Sequence, residues 1–398
     1  MNRVLLGVKR RARIAMGVMS VGASVAGERL LRLQPREPGR LPQTLTSIDA
    51  NWLTQVLCKA LPGVRVTTVT DHGGSDGTTS RRRFALEYEG NSAIAELPTH
   101  IFVKLMQSFH TRLQLGLSGI AESEARFYRE LRPELSVETP SAYFARAQER
   151  GWRSVIVLED VGRTSSATFL NPSIETSIGQ VDNMLTNLAN FHGKYWQSPR
   201  FLGDLAWLRT PTAFLRNLCD YVGMESRSIE GIRRATDVVP RGLQQRSAQT
   251  WRAMLRVVEA AEADPRTLIH GDSHLANHYL TGSGRVGICD WQLCMQGHWA
   301  WDVATTITTS LSIANRRSWE RQLLGLYCDR LAAAGGPRLD GESAWNQYRR
   351  LALFPYFAWA YTFGHGALQP HFQPDNLARE LLARTAQAVE DLESVDAS

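Results

Sequence analysis

Apolar and polar positions follow two different periods along this chain. Residues 47–61 carry a helical pattern, with Ser47 or Asp49 as candidate cap and Pro62-Gly63 as the stop. Val64 to Thr70 is β-branched and reads as a strand, and Phe84 to Tyr88, Ile101 to Met106 and Val155 to Leu158 read as three more. Alternation puts Ile101, Val103 and Leu105 on one face and Lys104 on the other. Residues 72–80, between the first two strands, form a turn rich in glycine and hydroxyls. Glu122 to Leu131 predicts an inserted helix, with Phe127 and Leu131 four residues apart.

After about residue 161 the period changes. Ile178, Val181, Leu185, Leu188, Ala189, His192 and Tyr195 follow helical spacing, which makes His192 a core histidine. Further helices are predicted over 243–263, 301–313, 316–334, 343–363 and 375–393. A β-rich island, Leu268 to Ile288, interrupts them and is itself broken by Gly282-Ser-Gly284. The pattern predicts an α+β chain, with a small sheet lobe over 44–160 and a larger, mostly helical lobe over 161–398.

Residues 1–43 stand apart as a basic extension and linker. Arg3, Lys9, Arg10, Arg11 and Arg13 occur with no acid before Glu28, among small and apolar residues. Three readings compete: a basic helix on an anionic membrane surface, a targeting peptide with a poor apolar stretch, and a partly helical, weakly packed extension, which is the simplest. Residues 34–43 read as the linker.

Composition narrows the class. The 398 residues are 43% hydrophobic and 21% charged, which excludes collagen-like, disulfide-scaffold and wholly disordered chains. Lys and Arg number 45 against 39 Asp and Glu; a net charge of +6 on so long a chain gives no reason to expect nucleic acid as a partner. No run of 18 apolar residues appears, so no transmembrane helix is expected. The five scattered cysteines read as buried thiols, Cys289 and Cys294 included. The expectation is a cytoplasmic protein with no obligate protein partner, and weak membrane-surface contact through residues 1–33 as the alternative to purely soluble behaviour.

The sharpest chemical signal is His270-Gly-Asp-Ser-His-Leu-Ala-Asn277, followed by Ile288-Cys-Asp290-Trp-Gln292. Phosphoryl transfer needs a carboxylate to orient or deprotonate the attacking hydroxyl. It also needs oxygen ligands that hold Mg²⁺ against nucleotide phosphates. Asp272, Asn277 and Asp290 supply those groups, five and then thirteen residues apart. Protein kinases place their catalytic Asp and metal-binding Asn and Asp in the same order and spacing.

From about Leu45 onward the sequence resembles the aminoglycoside phosphotransferase/choline kinase superfamily, and within it the ecdysteroid-kinase-like (CHK-type) small-molecule kinases and their bacterial relatives. The resemblance implies a protein-kinase-like bilobal fold with a small antiparallel-sheet N-lobe. It also implies ATP in the cleft between the lobes, Mg²⁺ as cofactor and a small-molecule hydroxyl as acceptor. Asp272 matches the catalytic base and His270 the loop histidine that supports it. Asn277 and Asp290 match the Mg²⁺ ligands, and His274 shapes the loop. Trp301-Asp-Val-Ala304 matches a helix start in which Asp302 caps the helix and braces the loop, with direct substrate contact as its alternative. Lys104 matches the strand-three lysine that holds the α/β-phosphates. Glu124 of Glu124-Ala-Arg-Phe-Tyr128 is its orienting acid, with Glu122 as competitor. Gly74, Gly77 and Thr78 match the phosphate-covering turn. Glu159 and Asp160 match the hinge, where main-chain groups meet adenine.

The acceptor is less legible. Between Arg200 and Pro265 there is no acidic cluster of the kind a cationic acceptor needs. Aromatics concentrate in Trp345 to Phe372, and in related folds this region lines the acceptor pocket, where His365 and His371 are further candidates. The reading favours a fairly apolar alcohol over an aminoglycoside- or macrolide-type antibiotic. Two rivals stay open: a zinc hydrolase using His270, Asp272 and His274, and a nucleotide-binding pseudokinase scaffold. Trp-Gln after Asp290, in place of Phe-Gly, and the absence of a following Ala-Pro-Glu argue against a protein kinase.

Overall fold

The β-branched and alternating segments near the start of the chain build one sheet. The computed structural model describes residues 2–31, 41–76, 79–366 and 373–398. They fall into two compact units. The first comprises Met1–Glu134, Pro140–Ala167 and Asp220–Val222, and the second Leu135–Thr139, Thr168–Cys219 and Gly223–Ser398.

The first unit opens with helix α1 (Asn2–Leu31) and α2 (Ala50–Leu57). Of the two candidate caps for α2, Asp49 serves: its Oδ1 accepts from the Trp52 N–H at 2.8 Å. Strands β1 (Arg65–Asp76), β2 (Ser80–Glu89) and β3 (His100–Leu105) follow. Then come α3 (Phe109–Ser118), α4 (Ser123–Arg126), β4 (Ala142–Gln148), β5 (Arg153–Glu159) and the single turn α5 (Val161–Thr164). The five strands pair antiparallel in the order β1-β2-β3-β5-β4. One sheet face, with Phe84, Leu86, Ile101, Val103, Leu105, Val155 and Val157, shares a core with Trp52 and Leu53 of α2. Alternation turns Lys104 to the opposite face.

Three features of this unit differ from the sequence expectation. Strand β4 is half-buried along most of its length and offers no alternation to read. The predicted helix over Glu122–Leu131 is α4 followed by a wider π-type turn at Phe127–Leu131. Helix α1 is not weakly packed. Its Val21 is fully buried, and its Ser24 and Glu28 bind Arg112 of α3, which is itself fully buried. The docking is largely polar, so hydrophobic spacing does not report it.

The second unit contains β6 (Thr168–Phe169), α6 (Ile178–Lys194), α7 (Pro211–Asn217), α8 (Met224–Arg234), α9 (Arg241–Gln245) and α10 (Ser247–Ala260). Four short strands follow, β7 (Thr267–Ile269), β8 (His278–Leu280), β9 (Val286–Ile288) and β10 (Met295–Gly297). Helices α11 (Ala300–Ser310), α12 (Ile313–Ala333), α13 (Gly341–Leu351), α14 (Leu353–Phe363) and α15 (Asp375–Asp391) complete it. The strands form a β6-β8-β9 sheet and a β7-β10 pair. The stretch predicted as one helix over 343–363 divides at Ala352, because Pro355 fits the first turn of α14 but not a helix interior. Every residue of α11 is buried, and α6, α12, α13, α14 and α15 pack around it. Among the described residues no helix is long and apolar enough to cross a membrane.

Candidate active site

In the second unit, the chain leaves β7 at Ile269 and returns as β8 at His278, so residues 270–277 form a loop at the strand ends. Gly271 sits at φ +83°, and a Cβ there would fall 2.1 Å from the Leu293 carbonyl oxygen; only glycine fits. The loop is held by Asp302, in the first turn of α11 and fully buried. Its Oδ2 accepts from the His270 N–H at 2.6 Å and its Oδ1 from the Gly271 N–H at 2.9 Å. His192 Nε2 lies 3.2 Å from the same carboxylate, with its Nδ1 2.8 Å from the Tyr327 hydroxyl. Asp302 thus braces the loop, as expected, but its side chain does not cap its own helix.

His270 joins two segments. Its Nδ1 accepts from the Asp272 N–H at 3.2 Å, which fixes the ring hydrogen on Nε2, and Nε2 donates to the Cys289 carbonyl at 3.0 Å. Burial holds the ring's pKa down, so it stays neutral. Asn277 is oriented in the same way: its Nδ2 donates to the Asp272 carbonyl at 2.8 Å, which leaves the amide oxygen as the atom available to a cation. The Cys289 N–H donates to the Asn277 carbonyl at 2.9 Å and places Asp290 beside this frame. Asp290 itself holds φ +65°, a left-handed conformation that costs a non-glycine residue energy and tends to persist at functional sites.

The Asp272 carboxyl is raised above the ordinary carboxylate range. Burial of the group comes first, the negative charges of Asp290 and Asp302 add to it, and His270 and Asn277 oppose it. His274 Nδ1 accepts from the Ala276 N–H at 3.2 Å, and Trp359 of α14 packs edge-on against its ring at 5.0 Å. Burial pushes His274 down to about 4.

In the first unit, Lys104 on β3 and Glu124 on α4 are both about 5% exposed, and the lysine ammonium donates to Glu124 Oε1 at 2.6 Å. Glu122 is the residue that precedes α4. Gly74 pairs with Arg82 across the β1–β2 hairpin, just past a register shift. A Cβ at Gly74 would fall 1.9 Å from the Arg81 carbonyl oxygen, so the hairpin requires glycine there whatever binds above it. Gly77 and Thr78 lie outside the described residues, as do His371 and Phe372. Glu159 ends β5, and Asp160 caps α5. Glu159 Oε2 accepts from the Ser141 N–H, and Asp160 Oδ1 accepts from the Gly162 N–H. The Glu159 N–H and Asp160 C=O are also taken up within the fold.

Sequence reasoning missed the threonines of α11. Thr306 Oγ1 donates to the Ser273 carbonyl at 2.9 Å, and Thr309 Oγ1 accepts from the Leu275 N–H at 3.2 Å. Thr-Thr-Ile-Thr-Thr on a helix that follows the metal-type loop was the available signal: helical interiors rarely favour four threonines unless their hydroxyls are used.

A model of the phosphotransferase enzyme family (APH) matches residues 76–349. The chain belongs to this family. The match spans Lys104, Glu124, the 270–277 loop and Asp290, and it makes the protein a small-molecule kinase by class. Similar solved structures include choline kinase LicA from Streptococcus pneumoniae, at 14% identity and TM-score 0.46, covering 85% of this chain and 98% of that one. Macrolide 2′-phosphotransferase MphH from Brachybacterium faecium is similar at 15% identity and TM-score 0.41, covering 78% and 93%. Wild-type aminoglycoside 2′-phosphotransferase-IIIa, a GDP complex, is similar at 12% identity and TM-score 0.45, covering 86% and 98%. No curated protein matches the sequence.

Proposed function

We propose that this phosphotransferase moves the γ-phosphoryl group of ATP to the hydroxyl of a fairly apolar small-molecule alcohol. Asp272 takes the proton of the acceptor hydroxyl as its oxygen attacks the γ-phosphorus. The new O–P bond forms as the bond to the β-bridging oxygen breaks, and ADP leaves. A carboxyl raised above the ordinary carboxylate range is a stronger base toward that proton than a solvated one. Asn277 Oδ1 and the Asp290 carboxylate are the ligands that would hold Mg²⁺, with water and phosphate oxygens completing its shell. Bound there, the ion would supply positive charge to offset that of the phosphates. Lys104, oriented by Glu124, is assigned to the α/β-phosphates, and His270 is a positioning residue.

The observation that carries this reading is the hydrogen-bonded frame itself. One set of bonds fixes the Asp272 backbone, turns the amide oxygen of Asn277 outward and seats Asp290 beside them. The donor set is all oxygen, which suits a hard divalent ion. The zinc reading fares worse, because both ring nitrogens of His270 are already engaged. Among the described residues, no group of three or more His, Cys, Asp and Glu side chains is arranged to hold a metal.

The acceptor class rests on what stands near the loop. Most of the aromatics singled out in the sequence are helix-packing core: Phe354 stacks on Trp301, and Phe357 meets Trp251 edge-on. Trp359 packs against His274 of the candidate loop. Three of the eight carboxylates in the 200–265 segment are paired with arginine rather than presented to a cation: Asp204 with Arg200, Glu230 with Arg233 and Arg234, and Asp237 with Arg379.

An ATP-consumption screen tests the proposal, with sterol-like, lipid-like and macrocyclic alcohols set against aminoglycosides. Turnover with uncharged alcohols is expected. Turnover with aminoglycosides alone would overturn the acceptor class. Stoichiometric zinc surviving dialysis, with no ATP use by any acceptor, would overturn the reaction.

A further inference from the structure

Helix α1 is not used by the chemistry above, yet it is fixed in place with one face turned inward. Gly17, Val21, Ser24 and Glu28 form a single stripe at helical spacing. A Cβ at Gly17 would come within 3.0 Å of the Trp152 ring, and that ring also lies directly over Gly116 of α3. Glu28 pairs with Arg112 at 2.9 Å and with Arg153, while Arg112 also donates to Ser24 Oγ and the Gly151 carbonyl. These groups are buried or nearly so, and removing one partner would leave charge stranded. The rotation of α1 about its axis is therefore set.

That rotation decides what faces outward. The opposite stripe is Val8, Ala12, Ala15, Met19 and Ala26, with Met16 alongside, all exposed. Exposed large apolar side chains number seven among the described residues; four of them, Val8, Met16, Val18 and Met19, are on this one helix. Such a concentration marks an interaction surface rather than scattered exposure. Lys9 and Arg11 flank the stripe at its N-terminal end. Glu28, the only acid on the helix, points inward. The outward face thus presents apolar surface bordered by positive charge alone.

We propose that this face of α1 lies on a membrane surface bearing anionic headgroups, with Met16 and Met19 entering the acyl boundary and Lys9 and Arg11 meeting phosphate. A helix with cations beside an apolar stripe fits an interface, where both faces of that chemistry are satisfied. A nucleic-acid duplex would use the cations and leave the methionines without a role. The helix lies on the bilayer and does not span it.

Co-sedimentation of the full chain with vesicles of phosphatidylcholine alone, or mixed with phosphatidylglycerol, tests this. Binding is expected only to the mixed vesicles and is expected to weaken in high salt. Met16→Asp/Met19→Asp and Lys9→Glu/Arg11→Glu should each weaken it by roughly tenfold or more. Both pairs are surface changes, and an unaltered thermal melt confirms that the fold is intact. No binding to mixed vesicles by the wild-type chain would overturn the proposal, as would equal binding by folded variants. A concentration-dependent dimer that the methionine variant abolishes, without vesicle binding, would assign the face to a second copy instead.

Discussion

At the scale of single residues, the site is built from side chains and backbone that hydrogen bonds hold in one arrangement. Asp290 shows what that costs. It holds a left-handed backbone, and its charge adds to those that raise Asp272. Asp290→Asn keeps the shape and the tolerance for that conformation but removes the charge. The variant is expected to melt at the wild-type temperature or slightly above it, and to lose Mg²⁺-dependent ATP binding by calorimetry. Intact Mg²⁺-dependent binding would remove Asp290 from the metal set.

The buried histidines make a second prediction at this scale. His298 Nδ1 accepts from the Ala300 N–H at 3.1 Å, so the ring is neutral, and burial pushes its pKa down to about 3. Asp264, at 3.8 Å and half exposed, is too distant to hydrogen-bond it. The unfolded chain binds a proton here below about 6.5, while the folded chain does not until about 3. Stability should therefore rise with pH across that window and level off above it. One such group contributes a slope of about 1.4 kcal/mol per pH unit. Urea denaturation of His298→Gln between pH 4 and 6 should show a slope shallower by about that amount; an unchanged slope would mean that His298 is charged in the folded state. The loop from His270 to Asn277 and Asp290 after it were legible as candidates because fixed spacing carries them. The histidine bonds were not, since which ring nitrogen accepts depends on backbone geometry that spacing does not encode.

At the scale of elements, α11 is the support on which the loop rests. Asp302 meets the His270 and Gly271 N–H groups and His192, and two threonines one turn apart reach the loop's backbone. Asp302→Ala leaves two buried N–H groups without their acceptor. It should lower stability by about 3–5 kcal/mol in chemical denaturation. A loss below about 1 kcal/mol would mean that the loop is held by other contacts. In the first unit, Lys104→Met should raise the KM for ATP and cut kcat by orders of magnitude, as expected of a phosphate-holding cation. A near-normal kcat would show that the buried Lys104–Glu124 pair is structural. Elements with clean periods, such as α6 and β3, were readable in advance. Helix α3 and strand β4 were not. The first has a fully buried arginine where an apolar residue would signal the core, and the second is half-buried along most of its length.

At the scale of the whole molecule, the change of period near residue 161 marked where a sheet-rich region gives way to a helical one. What sequence did not disclose is that the compact units are discontinuous. Residues 135–139 belong with the second unit and 220–222 with the first. In the second unit, the Ile288 N–H donates to the Glu138 carbonyl and Trp291 Nε1 to Thr139, contacts about 150 residues apart in the chain that no local pattern reports. The basic helix α1 is likewise part of the first unit because buried ion pairs dock it.

The most direct measurement is single-turnover transfer from γ-labelled ATP to the acceptor found by screening, comparing wild type with Asp272→Asn. Removing the base while keeping its shape should slow transfer by about 10²–10⁴-fold and leave the ATP dissociation constant within about threefold of wild type. Transfer at a near wild-type rate by a folded Asp272→Asn protein would contradict the account.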